Sequence, residues 1–295
     1  KKDARTVSVH HKLIKDYTDK KNTMLSQADT VIVGGGIAGL MSLDHLVREG
    51  FDAILVESTA LGNGQTIASQ GIIHGGLKYL LAKALKLDFM NEVREMPCWW
   101  TDRTCEGSTS SPNLSGARLS PNCYFWVTHN AKGINGVTMP YVATVVLSQL
   151  RTKCDLLPNE DDWPDALRAN GKRVYRVAEP VIDTGKVVRM LASAHKKRIF
   201  YAEGDEPTFT LCSGGVKKVE FYDRYLRERL SVTTGSLILA AGKSNDVLAK
   251  RAGFTQKTTR LRPLQQLLVH ADNLPALWGH CIDGGETLAT ITTHR

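Results

Sequence analysis

The sequence predicts an α/β protein whose nucleotide-binding domain is interrupted by a second, α+β domain. Three observations predict it. A glycine-rich turn, Gly34-Gly35-Gly36-Ile37-Ala38-Gly39, sits between an apolar strand and an amphipathic helix. A carboxylate, Glu57, closes the next strand 18 residues after Gly39. From about Cys98 to Trp126 the composition changes, and Ser, Pro and Gly surround Trp99, Trp100 and Trp126.

Asp29 to Val33 is mostly β-branched and reads as a short buried strand. Ile37, Leu40, Met41, Leu43, Leu46 and Val47 recur at helical spacing, with Gly50 placed to end the helix. Asp52 to Glu57 is the second strand, and a crossover helix makes it parallel to the first. The G-x-G-x-x-G pattern is weak alone and strong between a strand and a helix. Gly34 permits the tight turn, a side chain at Gly36 would collide with a pyrophosphate, and Gly39 lets helix and sheet pack closely. Backbone N–H groups near Ile37 and Ala38 then face the phosphates at the helix N-terminus. Glu57 suits the ribose hydroxyls and would repel a 2′-phosphate, which argues against NADP. The domain is therefore Rossmann-like.

Ser58 to Gly76 is rich in Gly, Ser, Thr and Gln and is too long for a simple turn, which marks a functional loop. Leu77–Met90 and Pro140–Lys153 read as helices, and Val174–Ile182 as a strand. Asp183 or Thr184 can cap a helix running to about His195. Strands are expected at Arg198–Ala202, Thr208–Cys212, Val216–Phe221, Ser236–Ala240, Arg262–His270 and Thr287–Thr293. There is no internal repeat.

The length of 295 residues allows about two domains, and 42% hydrophobic with 23% charged residues fits a globular core. No apolar run approaches the roughly 20 residues of a membrane span. The first 22 residues are polar and hold no secretory h-region. They carry +4 of the net +8, and residues 1–23 are expected to be a flexible extension ahead of a folded unit that starts at Met24. The chain has no initiator Met at position 1, so it is expected to be a fragment or processed. No aromatic-plus-basic motif accompanies the charge, so a nucleic-acid partner is not expected. The six cysteines form no Cys-x-x-Cys pair, so no metal is expected, and reduced thiols in the cytoplasm are the ordinary reading. Peripheral attachment to a membrane stays open.

FAD is chosen over NAD by two features. Leu237-Ile238-Leu239-Ala240-Ala241-Gly242 resembles the second flavin-protein signature, a late strand ending beside the dinucleotide. The loop Gly62 to Gly76 has the density of small residues that suits a backbone wrapped around pyrophosphate and flavin. Residues 29–80 resemble the FAD-dependent D-amino-acid oxidase and glycerol-3-phosphate dehydrogenase superfamily. Ile73-His74-Gly75-Gly76-Leu77-Lys78-Tyr79-Leu80 is similar to the His-Gly-Gly-x-Arg-Tyr-Leu segment of the glycerol-3-phosphate dehydrogenases. Glu179-Pro180-Val181-Ile182-Asp183 resembles the superfamily's return from substrate domain to FAD domain, and Arg262-Pro263-Leu264 the return to the substrate sheet.

The resemblance implies a Rossmann-like FAD-binding domain with an inserted α+β substrate domain built on an antiparallel sheet. Residues 24–97 and 183–254 would form the first, and residues 98–182 and 255–295 the second. It implies oxidation of a small amine (amino acid), hydroxy acid or polyol phosphate by hydride transfer to the flavin. Electrons would pass on to oxygen, a quinone or a carrier protein. Cofactor contacts are expected from Gly34, Gly36, Ile37, Ala38, Gly39, Glu57, Ser58, Thr66, Ser69, Gln70, Gly71, His74, Gly75, Gly76, Ala241 and Gly242. His74 is the candidate catalytic residue, able to orient the flavin, meet substrate or carry a covalent flavin link. Lys78, Arg260 and Arg262, with His270, could hold a substrate carboxylate or phosphate. Trp99, Trp100, Tyr124 and Trp126 could wall a pocket, although core packing is the commoner fate of such residues. Neighbouring strand residues face opposite ways, so Cys281 beside His280 is assigned no role.

Two departures stand out. Lys78 replaces the segment's Arg. The chain also stops at Arg295, ahead of the superfamily's C-terminal Gly-rich segment, so it is expected to lack about a quarter of a complete enzyme and to bind flavin less tightly than its full-length parent. Two other readings compete: the flavin domain of a tRNA-modifying enzyme, and a non-catalytic fragment that keeps the fold.

Overall fold

A computed structural model of the chain describes residues 26–76, 87–128, 153–204, 207–256, 259–261, 264–283 and 286–294. The described strands begin with β1 (Gln27–Val33), β2 (Ala53–Glu57), β3 (Arg118–Ser120), β4 (Cys123–Thr128), β5 (Cys154–Leu157), β6 (Gly171–Val177) and β7 (Val181–Ile182). They continue with β8 (Ile199–Tyr201), β9 (Thr208–Cys212), β10 (Gly215–Asp223), β11 (Glu228–Leu239), β12 (Trp278–Asp283) and β13 (Glu286–Thr292). The helices are α1 (Ile37–Arg48), α2 (Gln65–Ala68), α3 (Leu87–Thr104), α4 (Asp165–Arg168), α5 (Thr184–Ala194) and α6 (Asn245–Arg251). The chain packs as two units: Lys1–Ala68 with Val188–Gln265, and Ser69–Val187 with Gln266–Arg295. The sequence placed its domain boundaries after 97, 182 and 254, whereas the compact units divide after 68, 187 and 265.

The first unit holds a six-stranded sheet in the order β8-β2-β1-β11-β10-β9. β1 lies parallel to β2 and β11, and β2 parallel to β8, whereas β10 is antiparallel to β11 and β9. Central parallel strands are covered on both faces, so they read as unbroken apolar runs rather than alternations. All five residues of β2 are buried, as are Val31, Ile32 and Val33 of β1. Leu40 and Leu43 of α1 are fully buried, and each such side chain stabilises the fold by about 1.5–3 kcal/mol. α1 ends where Gly50 takes φ +89° and Phe51 N–H donates to Leu46 O, a left-handed terminus that glycine adopts without strain.

The second unit holds a five-stranded sheet in the order β13-β12-β4-β6-β5, antiparallel except for the parallel pair β12 and β4. Alternation sorts its residues to two faces. Cys123, Phe125, Tyr175, Val177 and Ile282 join one apolar cluster, and Trp126, Leu157, Val174, Leu277 and Cys281 join the other. The Asp183 carboxylate caps α5 by accepting the Lys186 N–H at 2.8 Å.

Several expected elements are revised. The helix expected over 77–90 lies partly outside the described residues, at 77–86. Its described part, α3, runs on through Trp99 and Trp100 to Thr104 despite Pro97. Arg103 stacks over Trp99 one turn back, at 3.8 Å, and the Thr104 hydroxyl donates to Trp100 O. Composition marked a change of domain from about Cys98; the helix runs on through the start of that segment, with these side-chain contacts along it. The helix expected over 140–153 lies outside the described residues, apart from Lys153. The strand expected over 174–182 is two strands, β6 and β7, interrupted at Ala178-Glu179-Pro180, where Pro180 cannot donate to a ladder. Residues 264–270 form no strand: Leu264, Leu267 and Leu268 are 85, 89 and 92% exposed, and no neighbouring strand pairs with them. β11 is longer than the expected 236–240, because its first half is the return limb of a hairpin with β10.

Candidate functional site

The glycine turn is enforced by backbone that crosses it. Gly34 N–H donates to Val56 O at 2.9 Å, and Gly34 takes φ +112°. A Cβ there would stand 2.5 Å from Ala240 O and 2.7 Å from the Cα of Ala241. The end of β11 thus lies directly on the turn, as the small residues Ala240, Ala241 and Gly242 led one to expect. A Cβ on Gly39 would overlap the Gly34 carbonyl, which closes helix onto strand. Gly36 is the extended N-cap of α1 and makes no side-chain cap bond; the first turn carries no acidic residue. Its positive end is therefore not neutralised by a carboxylate of its own, the condition for holding a pyrophosphate.

Glu57 is 8% exposed. Its Oε2 accepts Gly35 N–H at 2.6 Å, and its Oε1 accepts the Thr59 N–H and hydroxyl at 2.6 and 2.8 Å. The loop beyond folds back on the turn: Gly62 N–H donates to Gly35 O at 2.8 Å, and Thr66 Oγ1 accepts Ile37 N–H at 2.9 Å. Gly34, Gly36, Ile37, Ala38, Gly39, Glu57, Ser58, Thr66, Ala241 and Gly242 are thus all in the first unit, around the β1–α1 turn and the end of β2. Ala38 and Ser58 are exposed. Beside Glu57, Tyr201 packs edge-on against Tyr225, and Arg224 donates to Ser58 O at 2.6 Å. Burial, with Tyr225 and Glu57 nearby, pushes the Tyr201 phenol up to about 12.

Ser69, Gln70, Gly71, His74, Gly75 and Gly76 belong to the second unit. Their segment runs alongside 180–182: Ile72 bridges to Val181, Ile73 N–H donates to Pro180 O at 2.9 Å, and Ile182 N–H to Gly71 O at 2.9 Å. Gly71 takes φ +70°, and a Cβ on it would run into the Ile182 carbonyl. Gln70 Nε2 donates to Thr290 O at 3.3 Å, and Ser69 is exposed.

Two residues that spacing did not single out meet this segment. Glu179 is fully buried. Its Oε1 accepts Gly75 N–H at 2.7 Å, and its Oε2 lies 2.9 Å from His74 Nδ1 and 3.6 Å from Cys123 Sγ. The His280 ring packs tilted at 36° against His74, centroids 5.1 Å apart, and edge-on to Phe125 at 5.0 Å, with its Nδ1 2.8 Å from Thr290 Oγ1. Cys281 turns to the opposite apolar face. Burial, then Glu179, holds the Cys123 thiol well above its ordinary value, so it stays an S–H donor. Burial, with Asp155 and Glu179, pushes Cys154 up to about 12.

Arg260 is exposed on an irregular segment of the first unit, and His270 is also exposed. Lys78 and Arg262 lie outside the described residues. Trp100 and Trp126 are buried in packing rather than lining a cleft. Among the described residues no cluster of His, Cys, Asp or Glu could hold a metal ion, and no helix is long and apolar enough to cross a membrane.

The donor set fits a non-phosphorylated dinucleotide: a helix with no acidic residue in its first turn, a turn that admits no side chain at Gly34, and a carboxylate at the end of β2. Known proteins agree. The family described as FAD dependent oxidoreductase (DAO) matches residues 29–287. A probable FAD-dependent oxidoreductase of Pseudomonas aeruginosa is 35% identical over 276 residues, 90% of this chain and 64% of that protein, so this chain spans under two thirds of its relative's length. The crystal structure of the Pseudomonas aeruginosa FAD-dependent oxidoreductase superposes with a TM-score of 0.63 at 27% identity, over 91% of this chain and 62% of that one. L-proline dehydrogenase from P. horikoshii shares the fold, with a TM-score of 0.60 at 15% identity over 79% of this chain and 58% of its own. A shorter match, 39% identical over 69 residues, reaches aerobic glycerol-3-phosphate dehydrogenase of Staphylococcus haemolyticus, covering 23% of this chain and 12% of that protein. FAD is the cofactor of the group, and the chain belongs to the DAO family of FAD-dependent oxidoreductases.

Proposed function

We propose that the chain binds FAD and forms part of an oxidase or dehydrogenase acting on a small amine, hydroxy acid or polyol phosphate. The observation that carries this reading is the Gly34 turn pressed against Ala240 and Ala241, at the foot of a helix whose first turn carries no acidic residue. Gly34, Gly36, Ile37, Ala38, Gly39 and Thr66 take the pyrophosphate. Glu57 and Ser58 take the ribose; Glu57 Oε2 uses one of its two lone pairs on Gly35 and keeps one for a hydroxyl. Ser69, Gln70, Gly71, His74, Gly75, Gly76, Ala241 and Gly242 make the remaining cofactor contacts. Lys78, Arg260 and Arg262 take the substrate's anionic group. Bound FAD supplies the acceptor for a hydride from the carbon beside the substrate nitrogen or oxygen.

The test is the absorption spectrum of the purified full-length protein, followed by titration with FAD. A yellow protein, or one that takes up FAD stoichiometrically, is expected. A colourless protein that stays apo in excess FAD overturns the reading. Anaerobic addition of amino acids, hydroxy acids and polyol phosphates then reads the substrate class from flavin bleaching, and strong salt-sensitive tRNA binding without bleaching would favour the RNA-modifying alternative.

A further inference from the structure

We infer that Glu179 is a positioning residue for His74: it fixes the imidazole as the Nδ1–H tautomer and makes Nε2 the end that accepts a proton or a hydrogen bond from a bound ligand. The inference deepens the proposed role of His74 and rests on that reading for the ligand only; the tautomer stands on geometry within the second unit.

A fully buried carboxylate is costly unless every oxygen finds a donor. Oε1 of Glu179 is occupied by Gly75 N–H at 2.7 Å, a group that can only donate. Oε2 faces His74 Nδ1 at 2.9 Å and the Cys123 thiol at 3.6 Å. An ionised carboxylate only accepts, so the nitrogen facing it carries the hydrogen. In the neutral ring Nε2 then bears the lone pair. A proton arriving at Nε2 gives an imidazolium whose charge the carboxylate neutralises at hydrogen-bond distance. Buried carboxylates support histidine bases in this way in unrelated enzymes.

The placement is also stiff. One carboxylate holds a side chain, His74, and the next backbone N–H, Gly75. The strand-like pairing of Ile72 with Val181 and of Ile73 with Pro180 fixes the segment on the near side. The His280 ring packs tilted against His74, with centroids 5.1 Å apart. Side-chain exposure of His74 is 16% against none for Glu179, so the imidazole and not the carboxylate is the exposed member of the pair. A ligand that meets Nε2 would bring an O–H or N–H donor, as an alcohol or an ammonium group does.

The variant Glu179→Gln tests this, because it keeps the shape and changes one hydrogen-bonding face. Its carbonyl must still accept Gly75 N–H, which turns the amide NH2 toward His74 and favours the Nε2–H tautomer. Imidazole 15N NMR on histidine-labelled protein, with His74 assigned by His74→Asn, reads which nitrogen is protonated. Nδ1–H is expected in the wild type and Nε2–H in Glu179→Gln, with Glu179→Asp keeping the wild-type pattern. An Nε2–H wild type, or the same tautomer in wild type and Glu179→Gln, overturns the inference. The wild-type spectrum decides alone if the Glu179 variants fail to fold, and three-bond correlation along the chain assigns His74 without a variant. FAD titration of the same samples separates the two readings: a protein that shows the expected tautomers yet takes up no FAD refutes the flavin reading and leaves the pair standing.

Discussion

The carbonyl oxygen of Ala240 lies 2.5 Å from where a Cβ on Gly34 would stand, so the end of β11 and the turn after β1 share space that only a hydrogen atom fits. Gly34 is further held at φ +112°. Gly34→Ala is expected to cost about 2–5 kcal/mol through backbone strain and overpacking together. Urea denaturation of the variant would show it, and FAD uptake should fall with it. Wild-type stability in Gly34→Ala would mean that the strand end can retreat from the turn.

Glu57 organises the turn from below. Removing its carboxylate strands the Gly35 and Thr59 donors and deletes the proposed ribose contact. Glu57→Ala should weaken FAD binding roughly 10- to 100-fold, the worth of about one charge-assisted hydrogen bond. Fluorescence titration with FAD measures it. An unchanged dissociation constant would remove Glu57 from the site.

Alkaline stability should fall in a defined window. Burial raises the pKa of Cys154 to about 12, that of Cys123 well above its ordinary value, and that of Tyr201 to about 12. In each case the folded protein keeps a proton that the unfolded chain releases first. Their contribution is complete below about pH 9, where unfolded thiols hold their protons, and is lost progressively as the pH climbs toward 12. The urea midpoint should therefore drop between pH 9 and 11, and Cys154→Ala should drop less steeply. Equal slopes would contradict the raised thiol of Cys154. Labelling at pH 8 should reach the exposed Cys98 and Cys212 well before Cys123.

Gly71 and Gly64 make a controlled comparison. Both take positive φ, +70° and +80°, but a Cβ on Gly71 meets the Ile182 carbonyl whereas one on Gly64 meets nothing within 4 Å. Gly64→Ala should cost about 1 kcal/mol, from the left-handed conformation alone. Gly71→Ala should cost about 2–4 kcal/mol, because the close approach is lost as well. Thermal melts of the two variants would order them, and equal losses would show that the 71–75 segment is free to shift.

Much of the first unit was legible because it is local. Strand, turn, helix and second strand fall within residues 27–57, and periodicity plus three glycines specify them almost alone. The strand end at Ala240 was legible for a related reason: a crossing backbone demands small residues, and Ala-Ala-Gly announces that. Glu179 left no such mark. Its partners lie 105 residues away at His74 and 56 away at Cys123, and a buried carboxylate looks in sequence like any surface Glu. His280 is likewise silent in the sequence: it faces away from its neighbour Cys281, and its partners His74 and Phe125 lie far off in the chain. The apolar run at 264–270 misled in the other direction, since hydrophobicity specifies a strand only where another strand offers its edge.

The partnership of β1 with β11 has a consequence for how the chain is made. The Thr234 hydroxyl donates to Asp29 O across a sequence separation of 205 residues, and the parallel ladder beside it spans nearly the same distance. During synthesis β1 emerges long before its inner neighbour exists, and the Ser69–Val187 part of the second unit is translated between them. Loop-closure cost grows only logarithmically with length, so the delay concerns time more than stability. Until β11 arrives, one edge of the apolar β1–β2 pair stands open, and that edge is where a helper chaperone or a wrong partner would first take hold.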